Sequence, residues 1–578
     1  MSVTTGMKRR QEGKRGVRVN PEIYSVEGAE GHVWTRRQYR PSEPPSRLNL
    51  PGARAHIENP RERTEQEKPI GNRVDAGAGT RGKTGASGCE RPVGFGLSHS
   101  SEEAREGRPS GGSEGESRAG NLEKGQRNRT LRRADLSPEL LRVEEVARRK
   151  PKVTFTSLAH LLTVERLRKA CHELDAAAAP GVDGVTKEDY GRDLEQNLSE
   201  LQARLKTGRY RAKPVLRCWI EKPDGGRRPL GLPTVEDKIV QGAVVAILNS
   251  IYEADFYGFS YGYRPNRNAH QALQALQTVL QKGRVNWVLD TDISRFFDMI
   301  DHKHLMTVIR RRVTDGRLLS LIAKWLKAGV VEEDGRRTYP RSGTPQGGVI
   351  SPLLANIFLH EVVDTFVHEW RKAEAKGEVY IVRYADDLVM AFEKEDDARR
   401  MLEELDRRLK SYGLSLNREK TRLIRFGRQG GDTFDFLGFT HIAGRDREGR
   451  YLVKRKTART RLNRSLKAVH QWCRTHRHRP VQEQYEELRR KLIGHYNYYG
   501  IRGNFKALQQ YFYRVWLSWA QALSRRGQKV NWPRLKRLLA EVFVLPRPKI
   551  THSEGWLSVN PGYLLGRAGC GNTARPVL

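Results

Sequence analysis

Two adjacent carboxylates, Asp386 and Asp387, lie between two apolar runs with strong β-strand preference. The runs cover residues 379–382 and 388–392, and the polar interruption between them predicts a β-hairpin with Ala385-Asp386 near its turn. Two acids that repel each other at a hairpin tip are stabilised by a divalent cation, and Mg²⁺ prefers oxygen ligands of this kind. A solvated Asp-Asp turn fits the same residues, so the pair alone leaves both interpretations open.

A second acidic strand end precedes this hairpin in the chain. Residues 285–292 predict a strand on which Asp290 and Asp292 share one face, because side chains alternate along a strand. We expect this strand end to meet the hairpin tip and to complete a cage of three carboxylates. Two divalent ions in such a cage would activate a hydroxyl nucleophile and stabilise the leaving group.

Two further segments carry groups that suit a phosphorylated ligand. Residues 215–220 and 227–233 predict two strands joined by a turn, with Lys222, Arg227 and Arg228 placed to close over a polyphosphate. The glycine-rich turn 343–348 would let the backbone approach a base or a sugar. A hairpin with surface bases and an ordinary glycine turn remain open for these segments.

The composition restricts the class of partner. The 578 residues include 105 Lys and Arg against 68 Asp and Glu, a formal net charge of +37 that predicts binding to nucleic acid. The five cysteines are scattered without a Cys-x-x-Cys pair, which argues against a zinc ribbon and a disulfide framework and favours a reducing compartment. No apolar run reaches the length of a membrane span, and the N-terminus lacks a signal-peptide core, so the expected location is the cytoplasm, without a membrane partner.

The pattern along the chain predicts an α+β protein with five parts. Residues 1–130 form a basic low-complexity extension, predicted to be disordered, which either adds RNA affinity or is dispensable. Residues 131–190 are helical with a loop, 191–445 mix helices and strands, 446–552 are helical and very basic, and 553–578 form a tail. An apolar stripe from Phe505 to Leu523 predicts a core-facing helix with Asn504 as its N-cap.

Several motifs, in this order, resemble the reverse transcriptase–maturases encoded by group II introns. The motifs are Arg228–Asp237, Ser260–Pro265, Asp292–Asp298, Gly343–Ile357, Tyr384–Asp387, Leu414–Thr421, Phe436–Phe439, Gly494–Gly500, Leu523–Lys529 and Leu545–His552. Three features depart from the family. The tripeptide Ile220-Glu221-Lys222 stands where Ile-Pro-Lys is common, the N-terminal extension is unusual, and the tail shows no HNH endonuclease pattern.

The resemblance implies a right-hand polymerase, with fingers and an antiparallel-sheet palm within 191–445 and a helical thumb or maturase domain within 446–552. It implies that Asp292, Asp386 and Asp387 are catalytic and, with the Ile293 carbonyl, bind two Mg²⁺ ions, while Asp290 supports them.

The resemblance also assigns residues to the nucleotide and to RNA. The expected nucleotide-binding residues are Lys222, Arg228, Phe297, Gln346 and Lys420, and the expected RNA-binding residues are Arg525, Arg526 and Lys529. Phe297 would exclude the ribose 2′-hydroxyl, although a plain role in the palm core also fits this residue.

The expected function is an RNA-directed DNA polymerase that binds its group II intron RNA, assists splicing as a maturase, and copies the intron during retrohoming. The expected partners are intron RNA, target DNA, deoxynucleoside triphosphates and a second copy of the chain. Two alternatives stay open: a maturase without significant polymerase activity, and a reverse transcriptase of the defence or retron type. The complete acidic set, with Lys222 and Phe297, favours the polymerase.

Overall fold

The computed structural model describes residues 136–221, 226–339, 342–344, 347–525 and 531–552, all within the compact unit that runs from Cys89 to Leu578. Helices make up 51% of the structure and the sheets are mainly antiparallel, as the α+β prediction requires. The following predicted features lie outside the described residues: the extension 1–130, the tail 553–578, Lys222, Gln346, Arg526 and Lys529.

The first helices pack around one long helix that is buried on nearly every side. They are α1 (Pro138–Arg149), α2 (Val164–Glu173), α3 (Lys187–Gly191), α4 (Leu194–Lys206) and the long helix α5 (Val235–Tyr252). Helices α1 and α2 both pack on α5. Thr163 caps α2 by accepting the Arg166 amide, and Thr186 with Asp189 forms a capping box on α3.

Two short strands form the predicted basic hairpin at the edge of a four-stranded sheet. The sheet has the order β2-β1-β4-β5, with β1 (Val215–Glu221), β2 (Arg227–Leu232), β4 (Val330–Val331) and β5 (Arg337–Thr338). Strand β3 belongs to the central sheet. Glu221 pairs with Arg227, so the connection between β1 and β2 is short, as the sequence predicts.

A five-stranded sheet lies at the centre of the described region. Its order is β6-β7-β3-β8-β9, with β3 (Trp287–Thr291), β6 (Val379–Tyr384), β7 (Asp387–Phe392), β8 (Arg422–Gly427) and β9 (Gly430–Gly431). Strand β3 pairs antiparallel with β7 on one side and with β8 on the other. A separate three-stranded sheet consists of β10 (Phe434–Phe436), β11 (Phe439–Arg445) and β12 (Tyr451–Thr457).

Helices α6 (Ala269–Lys282) and α12 (Glu395–Ser411) pack on the central sheet. The other helices of this part of the chain are α7 (Phe296–Met299), α8 (His302–Arg310), α9 (Gly316–Lys327), α10 (Ser351–Leu359) and α11 (Phe366–Ala373). Leu289 and Met390 pack into the core that includes α12, whereas their chain neighbours Val288 and Val389 pack into the core that includes α6. Because alternate residues point to opposite faces, burial on both sides explains why these strands are almost wholly apolar.

The C-terminal helices enclose a third core. They are α13 (Arg459–Thr475), α14 (Val481–Tyr499), α15 (Phe505–Ser524) and α16 (Trp532–Arg537). The predicted stripe on α15 is confirmed at Leu508 and Trp519, which are buried, but Phe505 is 42% exposed at the first turn.

Asn504 precedes α15 as predicted, but its side chain does not cap the helix. It is 1% exposed, accepts the Thr457 amide at 2.9 Å and donates to the Tyr499 carbonyl at 2.9 Å. Asn504 is therefore the N-cap residue of α15, as predicted, but its side chain joins β12 to α14 instead of bonding to the first turn of the helix.

Among the described helices, none is both long and apolar enough to cross a membrane.

Candidate active site

The acidic hairpin forms as its sequence predicts. Strands β6 and β7 pair with Tyr384 opposite Asp387, which leaves Ala385 and Asp386 as a two-residue turn. Ala385 has a φ of +57°, in the left-handed region that residues other than glycine seldom adopt. Asp386 lies in the turn and Asp387 begins β7, so both carboxylates stand at one end of the central sheet.

Asp292 reaches the same end of the sheet from β3. Thr291 at the end of β3 pairs with Leu388 of β7, and Asp292 and Asp387 are the chain neighbours of this pair at the same end of the sheet. The backbone just beyond β3 is fixed by the chain that leads into β8, because the Asn417 amide donates to the Asp292 carbonyl at 2.8 Å and the Asp292 amide donates to Thr421 Oγ1 at 3.3 Å. Sheet register therefore gathers the three predicted catalytic aspartates at one edge, called here the acidic edge.

Burial and neighbouring charges raise the pKa of two carboxylates at the acidic edge, Asp386 and Asp387. The Asp387 side chain reaches solvent, but the surrounding protein displaces enough water to raise its pKa, and Asp386, Asp292 and Asp290 raise it further, to about 7. Burial also raises the pKa of Asp386, where the Arg228 guanidinium opposes the effect. Acids whose ionised forms destabilise one another in this way are stabilised by a cation.

Basic side chains from the start of β8 compensate the acids on β3. Lys420 Nζ lies 3.3 Å from Asp292 Oδ2, and Arg422 Nη2 lies 3.5 Å from Asp290 Oδ2. Burial nevertheless raises the pKa of Asp290, to about 6. Within the described ranges, no three His, Cys, Asp or Glu side chains converge closely enough to form a metal-binding cluster.

Phe297 lies next to the acidic edge, held by the glycine-rich turn. Its ring packs edge-to-face on the buried Phe296, with centroids 5.4 Å apart, and its side chain is half-buried. The Thr344 amide donates to the Phe297 carbonyl at 2.8 Å. Gly343 has a φ of +89°, and a Cβ there would approach the Phe297 carbonyl to 3.0 Å. The glycine is needed for both its conformation and this close approach.

The other end of the glycine-rich turn contacts the basic hairpin. Gly347 has a φ of +113°, and a Cβ there would lie 2.4 Å from the carbonyl of Gly231 in β2. Arg228 is exposed on the same strand, and its charge acts on Asp386. Arg228 and the acidic edge therefore belong to one site, whereas Lys222 and Gln346 lie outside the described residues.

Two residues near the hairpin turn Ala385-Asp386 have no role in the predictions from the sequence. Tyr263 has a φ of +56° and is 48% exposed, and burial followed by the Asp386 carboxylate raises its pKa. Arg383 is only 1% exposed within the otherwise apolar strand β6. The sequence did contain a signal for Arg383, because an arginine inside a buried strand needs an acidic partner.

A positively charged surface begins beside the acidic edge. Arg461, Arg464 and Lys467 are exposed on α13 at intervals of three residues, which places them on one side of the helix. Arg461 is close enough to the acids for its charge to lower the pKa of Asp387. Arg525 is exposed just after α15, and its role in RNA binding stays a prediction.

Comparison with known proteins identifies the family. Residues 220–441 match the family model described as reverse transcriptase (RNA-dependent DNA polymerase). The protein YkfC of Escherichia coli is 35% identical over 48% of this chain and 79% of its own length. The chain belongs to the reverse transcriptase family. It is an RNA-directed DNA polymerase of the branch that contains group II intron-encoded maturases.

Two relatives carry the intron in their names. The group II intron-encoded protein LtrA of Lactococcus lactis is 40% identical over 37% of this chain and 35% of its own length. The putative COX1/OXI3 intron 1 protein of Saccharomyces cerevisiae is 26% identical over 62% of this chain and 51% of its own length. This chain therefore covers about a third of the length of the Lactococcus relative and about half of the length of the Saccharomyces relative. The acidic edge, Phe297 and Arg228 all lie inside the segment matched by the family model.

The hairpin turn at Ala385-Asp386 packs closely against Gly262. A Cβ on Gly262 would lie 2.2 Å from the Ala385 nitrogen and 2.9 Å from its Cα. Backbone atoms cannot yield locally, so we expect Gly262→Ala to displace Asp386 and to slow primer extension by about 100-fold. The rate of extending a DNA primer on an RNA template, at saturating deoxynucleotide, measures this.

Gly494→Ala is the matched control, since it lies within α14 and its Cβ would meet nothing within 4 Å. This control should keep the wild-type rate and gain slightly in helix stability. Equal rates for the two variants would mean that Gly262 does not set the position of the turn.

Proposed function

We propose that this reverse transcriptase extends DNA primers on RNA templates at the acidic edge, with Asp292, Asp386 and Asp387 as its catalytic residues. The observation that carries the proposal is the pairing of Thr291 in β3 with Leu388 in β7, because Asp292 and Asp387 are the next residues beyond this pair. The raised pKa values of Asp386 and Asp387 support it further, because the edge is then suited to a cation and to a phosphate-bearing substrate.

The donors at the acidic edge fit Mg²⁺, with two ions per site. All are oxygens, namely the carboxylates of Asp292, Asp386 and Asp387 and the carbonyl of Ile293, and oxygen is the ligand type that Mg²⁺ prefers. The Ile293 backbone is fixed by its bridge to Leu416. When bound, the ions supply activation of the primer 3′-hydroxyl and charge stabilisation at the leaving pyrophosphate.

Basic residues on two sides of the edge hold the triphosphate. Arg228 and Lys222, on or beside the basic hairpin, bind its oxygens, since a guanidinium and an ammonium both match phosphate. Lys420 neutralises or protonates the leaving pyrophosphate, a role supported by its position 3.3 Å from Asp292. Positioning and charge stabilisation then provide most of the acceleration.

Aromatic and amide groups select the nucleotide. The Phe297 ring excludes a ribose 2′-hydroxyl, supported by its half-buried position against Phe296 and by the glycine-rich turn that fixes its backbone. Gln346, in that same turn, contacts the nascent base pair.

The parts of the chain take the places of a right-hand polymerase. The hairpin β1–β2 belongs to the fingers, the central sheet is the palm within 191–445, and α13 to α16 form the thumb or maturase domain within 446–552. Residues 131–190 supply the helical segment before them.

The nucleic-acid partners are group II intron RNA and target DNA. The names of the Lactococcus and Saccharomyces relatives support the association with an intron. In this proposal Arg525, Arg526 and Lys529 contact the RNA, the protein assists splicing, and the polymerase copies the intron during retrohoming. The cytoplasmic location and the homodimer stay predictions.

The catalytic assignment is tested with Asp386→Asn, which keeps the shape of the side chain but removes its charge. We expect the rate of Mg²⁺-dependent primer extension to fall by at least about 100-fold, the effect of losing one preorganised electrostatic interaction. Affinity for RNA should be unchanged. The control is Asp396→Asn in the exposed first turn of α12.

An Asp386→Asn variant that still extends primers at the wild-type rate would contradict the assignment. If wild-type protein promotes intron splicing but extends no primer, the maturase without significant polymerase activity is favoured. Primer extension without preference for group II intron RNA would instead favour the defence or retron type.

The gate is tested with Phe297→Ala. Removing the ring makes room for a 2′-hydroxyl, so we expect the preference for deoxynucleotides over ribonucleotides to fall by about tenfold or more, measured as the ratio of kcat/KM values. Phe296→Leu, which alters the neighbouring buried ring, should lower stability and keep the preference. A preference that survives in Phe297→Ala would assign Phe297 to the palm core instead.

The duplex-binding surface is tested with Arg461→Gln combined with Arg464→Gln. Removing one charge that neutralises a phosphate should lower the slope of log affinity against log salt concentration by about 1, so we expect weaker template–primer binding and a slope smaller by about 1 to 2. Arg399→Gln, exposed on α12 and paired with Glu395, is the control. An unchanged slope in the double variant would exclude this face of α13 from the binding surface.

A further inference from the structure

A buried ion pair lies directly behind the catalytic turn. Arg383 in β6 is 1% exposed and Asp364 is equally buried. Two parallel hydrogen bonds join them, from Nε to Asp364 Oδ1 at 2.7 Å and from Nη2 to Asp364 Oδ2 at 2.5 Å. Taking two charges out of water is costly, and apolar residues of similar volume would often stabilise a core better. The pair therefore calls for an explanation other than stability.

The remaining donors of Arg383 explain its position. Nη1 donates to the carbonyl of Ala385 at 2.9 Å and to Asn356 Oδ1 at 3.0 Å. Ala385 is the residue before Asp386, so the guanidinium holds the turn from the inside of the protein. A lysine has no planar fork and could not serve Asp364, Asn356 and the turn together in this geometry.

The same network reaches the other chain segment that touches the turn. Asn356 Nδ2 donates to the Gly262 carbonyl at 2.6 Å, and Gly262 packs against the Ala385 backbone. The Arg383 amide donates to the Phe259 carbonyl at 2.9 Å, and the Tyr261 amide donates to the Arg383 carbonyl at 2.9 Å. The positive φ of Ala385 is thus imposed from two sides.

Asn356 and Asp364, which accept hydrogen bonds from Arg383, lie on one helical segment, and a π-helical stretch within it turns their side chains toward the same side. Asn356 lies in α10 and Asp364 lies eight residues later, and in a regular α-helix that separation offsets two side chains by about 80°. The intervening segment His360–Thr365 is π-helical. A π turn takes up about one extra residue, which brings the two side chains to within about 20° of one direction.

We propose that Arg383 is a positioning residue of the polymerase: it fixes the conformation of the turn that presents Asp386 and Asp387. Asp364 and Asn356, which lie on the helical segment that includes the π-helical residues, hold the Arg383 guanidinium in place. The inference rests on the proposed function for its catalytic readout. Arg383 touches neither substrate nor metal in this proposal; it acts through the Ala385 carbonyl.

The chain offers a matched ion pair for comparison. Arg312, 7% exposed, binds Asp255 through Nε at 2.7 Å and Nη2 at 3.1 Å, and its Nη1 donates to the Val153 carbonyl. This pair has the same chemistry and is largely buried, with side chains 9% and 15% exposed against 1% and 0% for Arg383 and Asp364. It ties the chain that follows α8 to the segments after α1 and after α5. Its loss should affect stability without reaching the catalytic turn.

The test compares Asp364→Asn and Arg383→Lys with Asp255→Asn in the full chain. Four quantities are measured: the melting temperature, amide hydrogen exchange in residues 384–388, the rate of primer extension at saturating template–primer and deoxynucleotide, and the Kd for template–primer. We expect faster exchange at the turn in both network variants and a rate lower by about 100-fold, the effect of a misplacement near 1 Å, with Kd unchanged. Asp255→Asn should lower the melting temperature and leave the other three quantities as in wild type.

Asn356→Ser is a milder variant for the case in which the charge variants fail to fold, since it keeps the ion pair and removes the link to Gly262. Its turn should also exchange faster and its extension should slow. The proposal is overturned if the network variants melt at lower temperature but keep wild-type exchange at the turn and the wild-type rate. If wild-type protein extends no primer, the proposed function fails, and the exchange comparison alone then decides whether Arg383 positions the turn.

Discussion

The antiparallel pairing of β3 with β7 puts the ends of two strands, and the acids they carry, at the same edge of the central sheet. Asp292, Asp386 and Asp387 gain their proximity from this register, and a shift of one residue would turn each side chain to the opposite face. Burial of both faces of these strands makes such a shift very unfavourable, because it would exchange the two apolar cores. The cores therefore fix the geometry of the acidic edge.

Holding like charges together has consequences for the surrounding structure. The pKa of Asp387 rises to about 7, while Lys420 and Arg422 pair with the acids on β3. Exposed arginines on α13 extend the positive surface away from this edge. A protein with a net charge of +37 thus keeps a small cluster of acids where a phosphate-bearing substrate and its cations would bind.

Backbone strain is concentrated near the same edge. Tyr263, Arg295 and Ala385 each have a positive φ. Ala385 directly precedes Asp386, Tyr263 is close enough for the Asp386 charge to act on it, and Arg295 lies three residues after Asp292. Such conformations persist only where neighbouring structure imposes them, and they are common at functional sites. At Ala385 the neighbours are Gly262 and the buried Arg383 with its acceptors Asp364 and Asn356. The strain marks a part of the fold that is specified by contacts rather than by local preference.

The sequence by itself determined the elements and the chemistry that they carry. The hairpin 379–392, the strand that leads to Asp292 and the apolar stripe of α15 follow from local periodicity and turn residues, and the order of the motifs identified the family. These features depend on residues close together in the chain. The roles of the site residues remain predictions that the geometry supports.

Only the tertiary structure decided which distant groups act on one another. Helix α11 separates Asp364 from Arg383 in β6, and Asp364 lies in a π-helical segment that no local sequence pattern predicts. Asn is a residue type that often caps helices, yet the Asn504 side chain accepts a hydrogen bond from the distant Thr457 amide and donates one to the Tyr499 carbonyl. Side-chain pairing between remote segments depends on the packed cores that bring them together, and this information is not contained in any short stretch of sequence.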